Sequence, residues 1–97
     1  MQVSLSDEAQ ADANDAVEWY IAEGAPAAAE DFANELEHAL NLLRQFPAMG
    51  QNGTHRTRIL PLQSFPYSLV YRLIPDMIRV IAIAHHSRRP GYWGGRR

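Results

Sequence analysis

Two apolar runs rich in β-branched residues, Tyr67–Ile74 and Met77–Ala84, flank the turn-forming pair Pro75-Asp76. Strand-formers on both sides of a turn signal specify a β-hairpin, and a hairpin needs a partner layer to bury one face. Successive strand side chains point to opposite faces. Parity therefore puts Tyr67, Leu69, Tyr71 and Leu73, opposed by Ile78, Val80, Ala82 and Ala84, on one face. Bulk facing small residues suits packed helices, so this face is assigned to the core. Ser68, Val70 and Arg72, opposed by Arg79, Ile81, Ile83 and His85, form the other face. A two-residue loop sets Arg72 against Arg79, a repulsive pair. An anion between them, a slipped register, or a carboxylate reaching over would each relieve it.

The layer that covers the hairpin comes earlier in the chain. Met1–Leu5 alternates as a short strand. Ser6 is a good N-cap, with Asp7 and Glu8 in the first turn of a helix whose stripe is Ala9, Ala13, Val17, Tyr20 and Ile21. Gly24 ends that helix and Pro26 opens a second, which buries Phe32, Leu36, Leu40 and Leu43 and stops at Phe46-Pro47. So short a connection makes an antiparallel helical hairpin. Ala48–Thr54 reads as a loop, and Arg56–Leu62 as a strand with Arg56 and Arg58 on one side. The expected fold is a single α+β domain over residues 1–97. A strand (1–5) and a helical hairpin (6–46) precede a three-stranded antiparallel meander (55–84), with the hairpin on one sheet face. A basic, aromatic tail (85–97) follows.

Charge divides along the same line. Ten of the eleven acidic residues lie at or before Glu37, whereas all nine basic residues, every one an Arg, lie at or after Arg44. Such segregation points the second half at a polyanion or an acidic protein, with the acidic helices as a solvated back. The chain has no cysteine, no charged-then-apolar signal segment at its start and no apolar run near the ~20 residues of a membrane span. A cytoplasmic location, without membrane contact, metal or cofactor, is the expectation. Glu35 and His38, at i and i+3, read as part of a solvated face because no motif supplies further ligands.

Only the second half offers a chemical constellation. Arg56, Arg58, Arg72 and Arg79 can share a sheet face with His85, and Arg88, Arg89, Tyr92 and Trp93 follow. Arginines hold phosphate charge, histidine moves protons near neutrality, and aromatic rings stack on bases. That set suits metal-independent RNA cleavage, in which a 2′-hydroxyl attacks the adjacent phosphate. It equally suits an acidic peptide. Tyr92-Trp93 reads more readily as a lid on the sheet edge than as a stacking platform. The closing GGRR reads as a flexible basic end.

In element order and size over essentially the whole chain, and most specifically from Arg56 to Trp93 with FPYSLVYRL and IRVIAIAHHSRRPGYW at the hairpin and tail, the sequence resembles the RelE/ParE superfamily of toxins from type II toxin–antitoxin modules, also known as plasmid stabilisation proteins. The resemblance implies the strand–helix–helix–three-strand fold and a cognate, acidic antitoxin. It implies either of two activities. A ParE-like toxin is no enzyme and acts on DNA gyrase. A RelE-like toxin cuts mRNA on the ribosome, and the resemblance would give it Arg56, Arg58, His85 and Tyr92 as catalytic candidates. The nuclease branch commonly carries Arg where this chain has Ser68, and that departure tilts the reading toward ParE. Arg72, Arg79, Arg88, Arg89 and Trp93 are then the candidates for contacting target or antitoxin, and a homodimer is compatible with the resemblance.

Overall fold

A computed structural model describes every residue from Met1 to Arg97. The elements are β1 (Gln2–Leu5), α1 (Asp7–Ala22), α2 (Pro26–Gln45), β2 (Gln51–Asn52), β3 (Arg58–Pro61), β4 (Tyr67–Ile74) and β5 (Met77–His85). They make one mixed sheet in the order β1-β5-β4-β3-β2. β1 runs parallel to β5, and every other neighbouring pair is antiparallel. The expected meander is therefore present as β3-β4-β5, widened to five strands by β1 on one edge and by β2 on the other. β2 lies inside the stretch read as a loop, where two residues are too few to carry an alternation signal.

The helical hairpin forms as its caps dictate. Ser6 accepts a hydrogen bond from the Ala9 amide at 3.0 Å, which supplies one orphan donor of the first turn. At the other end Gly24 takes φ +75°, while its amide bonds Ile21 O and the Ala25 amide bonds Tyr20 O. These two bonds satisfy the last carbonyls of α1 and reverse the chain, a geometry that a residue with Cβ resists. Ala9, Ala13 and Ala16 bury the inner stripe of α1, and Phe32, Leu36, Leu40 and Leu43 that of α2. Ile21, expected in the stripe, is 56% exposed, and Ala16 takes its place. The alanines let α1 lie close to the sheet. Edge-to-face contacts of Phe32 with Phe65 and Tyr67, and of Tyr20 with Phe65, close one end of the core.

The β4–β5 hairpin has the expected two-residue loop, and Arg72 does stand opposite Arg79. One irregularity corrects the face assignment. Val70 pairs Ala82 but Tyr71 pairs Val80, so Ile81 is an extra residue on β5. A bulge of this kind puts two adjacent residues on the same side and inverts parity beyond it. Ile78, Val80 and Ile83 join Leu69 and Tyr71 beneath the helices, whereas Ile81, Ala82 and Ala84 turn to the opposite face with Val70. His85 consequently moves to the helix side, its ring 4.9 Å from that of Tyr67. Leu73, expected in the core, is 41% exposed at the hairpin tip.

Candidate functional site

The face of the sheet away from the helices is covered by the tail. After β5 the chain runs through consecutive turns, closed by amides of Arg88, Tyr92, Gly94 and Arg96 on the carbonyls three residues back. These turns deliver Trp93, 7% exposed, onto Val70, Ile81, Ala82 and Ala84. The small residues opposite β4 thus seat an indole rather than a helix. Trp93 behaves as the lid foreseen for Tyr92-Trp93, while Tyr92 stays half-buried beside it, with ring centroids 5.4 Å apart. Arg88 lies 4.1 Å and Arg96 5.3 Å from the Tyr92 centroid, both within cation–π range. Burial, reinforced by Asp12, pushes the Tyr92 phenol above its ordinary value against the opposing pull of Arg96 and Arg88. That phenol is neutral at physiological pH.

Two arginines fasten the tail, and one of them, Arg96, belongs to the GGRR stretch expected to be a flexible end. Arg96 bonds Asp12 at 2.6 Å and the Ile81 carbonyl at 3.1 Å, with Glu8 at 3.4 Å. Asp12 also accepts the Ile83 amide at 3.0 Å. β1 ends at Leu5 opposite Val80, so beyond that point β5 is paired with β4 on one side and has no strand on the other. Asp12 and Arg96 occupy the vacant edge, satisfying Ile83 N–H and Ile81 C=O as a strand would. The acidic helices are therefore more than a solvated back. Glu35 is likewise engaged, accepting the Gln63 and Ser64 amides at 2.6 and 3.1 Å. From the sheet side Arg72 donates to the carbonyls of Arg96, Gly94 (3.3 Å) and His55 (3.1 Å). Arg79 turns to Ser4 on β1 at 2.6 Å. The facing arginines thus diverge onto neutral acceptors. Neither a slipped register nor a carboxylate is involved.

The other sequence candidates are dispersed. Arg56 is not on a strand. Thr54–Thr57 forms a tight turn closed by Thr57 N on Thr54 O, with His55 at φ 57° and Arg56 at φ 61°. Two consecutive left-handed residues match the right-handed twist of paired strands, and they leave Arg56 exposed at the turn. Arg58 pairs Tyr71 on the helix side of the sheet and donates to Gly50 O at 2.8 Å and Ala48 O at 3.1 Å. Tyr71 holds the same loop, donating to Pro47 O at 2.7 Å and accepting the Gly50 amide at 2.9 Å. His85 accepts the Ser87 amide on Nδ1 at 3.0 Å, so its neutral form carries the proton on Nε2. Arg56, Arg58, Arg72, Arg79 and His85 therefore do not share one face.

What the tail presents outward is a cationic, aromatic surface. Arg88 and Arg89 are exposed, and Arg88 borders a cleft of about 230 Å³ lined by Asp12, Asp15, Trp19, Tyr67, His85 and Tyr92. Trp19, on α1, is 55% exposed. On the other side of the tail, Ser68 Oγ lies 2.8 Å from His86 Nε2. Sequence reading missed Asp12, Arg96 and this pair. The only cue to the first two was the acidic i,i+4 pair Glu8 and Asp12 flanking the buried alanines, set against a basic C-terminus.

Comparison with known proteins agrees with this architecture. No curated protein matches the sequence. A solved structure described as the chromosomal ParDE TA system from P. aeruginosa superposes with a TM-score of 0.78 at 20% identity. The match covers 88% of this chain and 95% of that one, and at such identity it establishes the fold. The family model for the ParE toxin of the type II toxin–antitoxin system parDE matches residues 3–90, from the first strand to the start of the tail. The chain therefore belongs to the ParE toxin family, within the RelE/ParE superfamily.

Proposed function

We propose that this toxin arrests growth by binding rather than by cleavage, with DNA gyrase as its target. In the cytoplasm a cognate acidic antitoxin, ParD-like as in the ParDE assembly it resembles, neutralises it. One observation carries this reading: the groups that a metal-independent ribonuclease would gather are split between the two sheet faces and engaged in holding backbone. Arg58 is bound to loop carbonyls, Arg72 to the tail, and His85 lies on the helix side. Arg88 and Arg89 by contrast are exposed on a surface the fold holds in place. They form the contact with target or antitoxin. Arg72 and Trp93 act by keeping that surface in shape, and Arg79 extends the basic character toward β1. An acidic antitoxin segment folding onto this surface would replace scattered water contacts with charge-assisted hydrogen bonds. No helix of the chain is long and apolar enough to cross a membrane.

Induced expression in a bacterial host, with and without the neighbouring open reading frame, tests the proposal. Growth, pulse-labelled DNA synthesis and pulse-labelled protein synthesis are followed together. Arrest relieved by the neighbour, with DNA synthesis failing first and cells filamenting, is the expected outcome. Early failure of protein synthesis with cleaved messages would make the chain a RelE-like endoribonuclease instead.

A further inference from the structure

The two edges of the sheet are not alike. At one, β2 is only two residues long, and β3 behind it ends in Pro61. Natural sheets blunt an edge with short strands, proline or charge. At the other edge β1 carries no proline, no charge and no bulge over Gln2–Leu5. The Ser6 amide donates to Val80 O at 2.9 Å. Alternate residues of a parallel ladder bond the same neighbour, so Gln2 and Ser4 face β5 in the same way. Val3 and Leu5 therefore aim their N–H and C=O groups out of the sheet. A shallow groove of about 610 Å³ follows this edge, lined by Met1, Gln2, Val3, Ser4, Arg44 and Met77.

We infer that β1 is a docking edge for a second copy of this chain, paired antiparallel about a two-fold axis at Val3. The outward groups recur at odd positions, so a register must oppose odd residues to odd ones. With Val3 opposite Val3 of the second copy, Met1 meets Leu5 and Gln2 meets Ser4. Like then meets like on each face. Val3 and Leu5 pack on the helix-side core, and Met1, 53% exposed, gains an apolar neighbour there. Ser4, bonded to Arg79, lies on the tail side with Gln2. Charge selects the same arrangement. Asp7, just past one end of β1, is exposed and has no ion-pair partner in its own chain. Arg44 stands at the other end, its carbonyl accepting Met1 N at 3.2 Å and its guanidinium 3.9 Å from Glu37. Antiparallel pairing carries Asp7 of each copy toward Arg44 of the other. A two-fold axis normal to the sheet also leaves both tail faces on one side. One dimer thus presents Arg88 and Arg89 twice, whatever partner they meet. The pairing stands or falls separately from the function proposed above.

Light scattering and amide exchange of the full chain over a wide range of concentration test this without any substitution. The mass should approach twice that of one chain. Exchange at Val3 and Leu5 should slow as the dimer fills, while Gln51 and Asn52 on the other edge stay unchanged. Arg44→Glu should weaken the dimer about tenfold, since two attractive pairs become repulsive, and Asp7→Arg should do the same. Asp7→Arg/Arg44→Glu restores opposite signs between copies and should recover the affinity. The chain has no cysteine, so Val3→Cys probes the axis itself. Cα atoms of a hydrogen-bonded antiparallel pair lie about 5.5 Å apart, within disulfide reach. Mild oxidation should therefore link Val3→Cys into a covalent dimer and leave Gln51→Cys unlinked. A monomer at every concentration would overturn the inference. So would a dimer whose Val3 and Leu5 amides exchange at the monomer's rate, or a natively folded double reversal no tighter than either single one.

Discussion

The two faces of the sheet are covered by different physics. Beneath the helices, Phe32, Leu36, Leu40 and Leu43 interlock with Leu69, Tyr71, Ile78 and Val80, and apolar burial by regular elements supplies the stabilisation. On the opposite face only Val70, Ile81, Ala82, Ala84 and Trp93 are buried together. That smaller cluster is kept closed by polar fastening, with Arg72 and Arg96 gripping carbonyls and Asp12. Non-directional burial tolerates adjustment of its parts. Charge-assisted hydrogen bonds fix a geometry. The face that presents Arg88 and Arg89 is the one whose shape is set by directed bonds.

Substitutions should separate the two faces by size of effect. Phe32→Ala removes a fully buried ring that three other aromatic side chains touch, and should cost about 3–5 kcal/mol of global stability in urea unfolding. Asp12→Ala, on the other face, leaves the Ile83 amide and a mostly buried Arg96 without their carboxylate. A loss of about 2 kcal/mol is expected, with amide exchange accelerating in residues 93–97 well before the β4–β5 ladder. Equal protection of tail and ladder in that variant would show the clasp to be ornamental.

Smaller effects sharpen the contrast. Tyr71→Phe keeps the ring but orphans the Gly50 amide and Pro47 carbonyl, and should cost about 1–2 kcal/mol, read as faster exchange at Gly50. At neutral pH the tyrosine hydroxyls of both faces are protonated and contribute no pH dependence. Burial raises Tyr20, Tyr67, Tyr71 and Tyr92 above the ordinary value near 10. The folded chain then holds these protons more tightly than the unfolded one. The tyrosine contribution to stability is therefore level below pH ~10 and falls as pH rises beyond it. Thermal melts from pH 8 to 11 measure this, and a midpoint rising with alkalinity would contradict it.

The same contrast explains what could be read from residues alone. The stripe of α2, the Gly24 reversal, the Pro75-Asp76 turn and the Arg72–Arg79 register are local consequences of spacing and capping, and each is present, whereas the α1 stripe ends on Ala16 and leaves Ile21 exposed. The bulge at Ile81 left no mark in the alternation, because Ile81, Ala82 and Ile83 are all apolar and satisfy either parity. That one extra residue moved Ile83 and His85 beneath the helices and broke up the expected cluster of catalytic candidates. Arg56 was misplaced because a turn built on His55 and Arg56 lacks the usual Asn-Gly signature. The clasp joins Asp12 to Arg96 across almost the whole chain, and no local pattern encodes so distant a pair. Gly94 shows the tail's dependence on tertiary fit: a Cβ there would come within 2.6 Å of the His55 ring.

Whether the tail face binds gyrase, as proposed, is decided by a supercoiling assay with purified gyrase, relaxed plasmid and the purified chain. Inhibition is expected with the wild-type chain and not with Arg88→Glu/Arg89→Glu of native backbone spectrum, because both side chains are exposed and what Arg88 gives the fold is a surface cation–π contact with Tyr92. Full supercoiling in the presence of excess folded wild-type chain, together with cut messages in a translation reaction, would contradict the account and make the protein a ribonuclease.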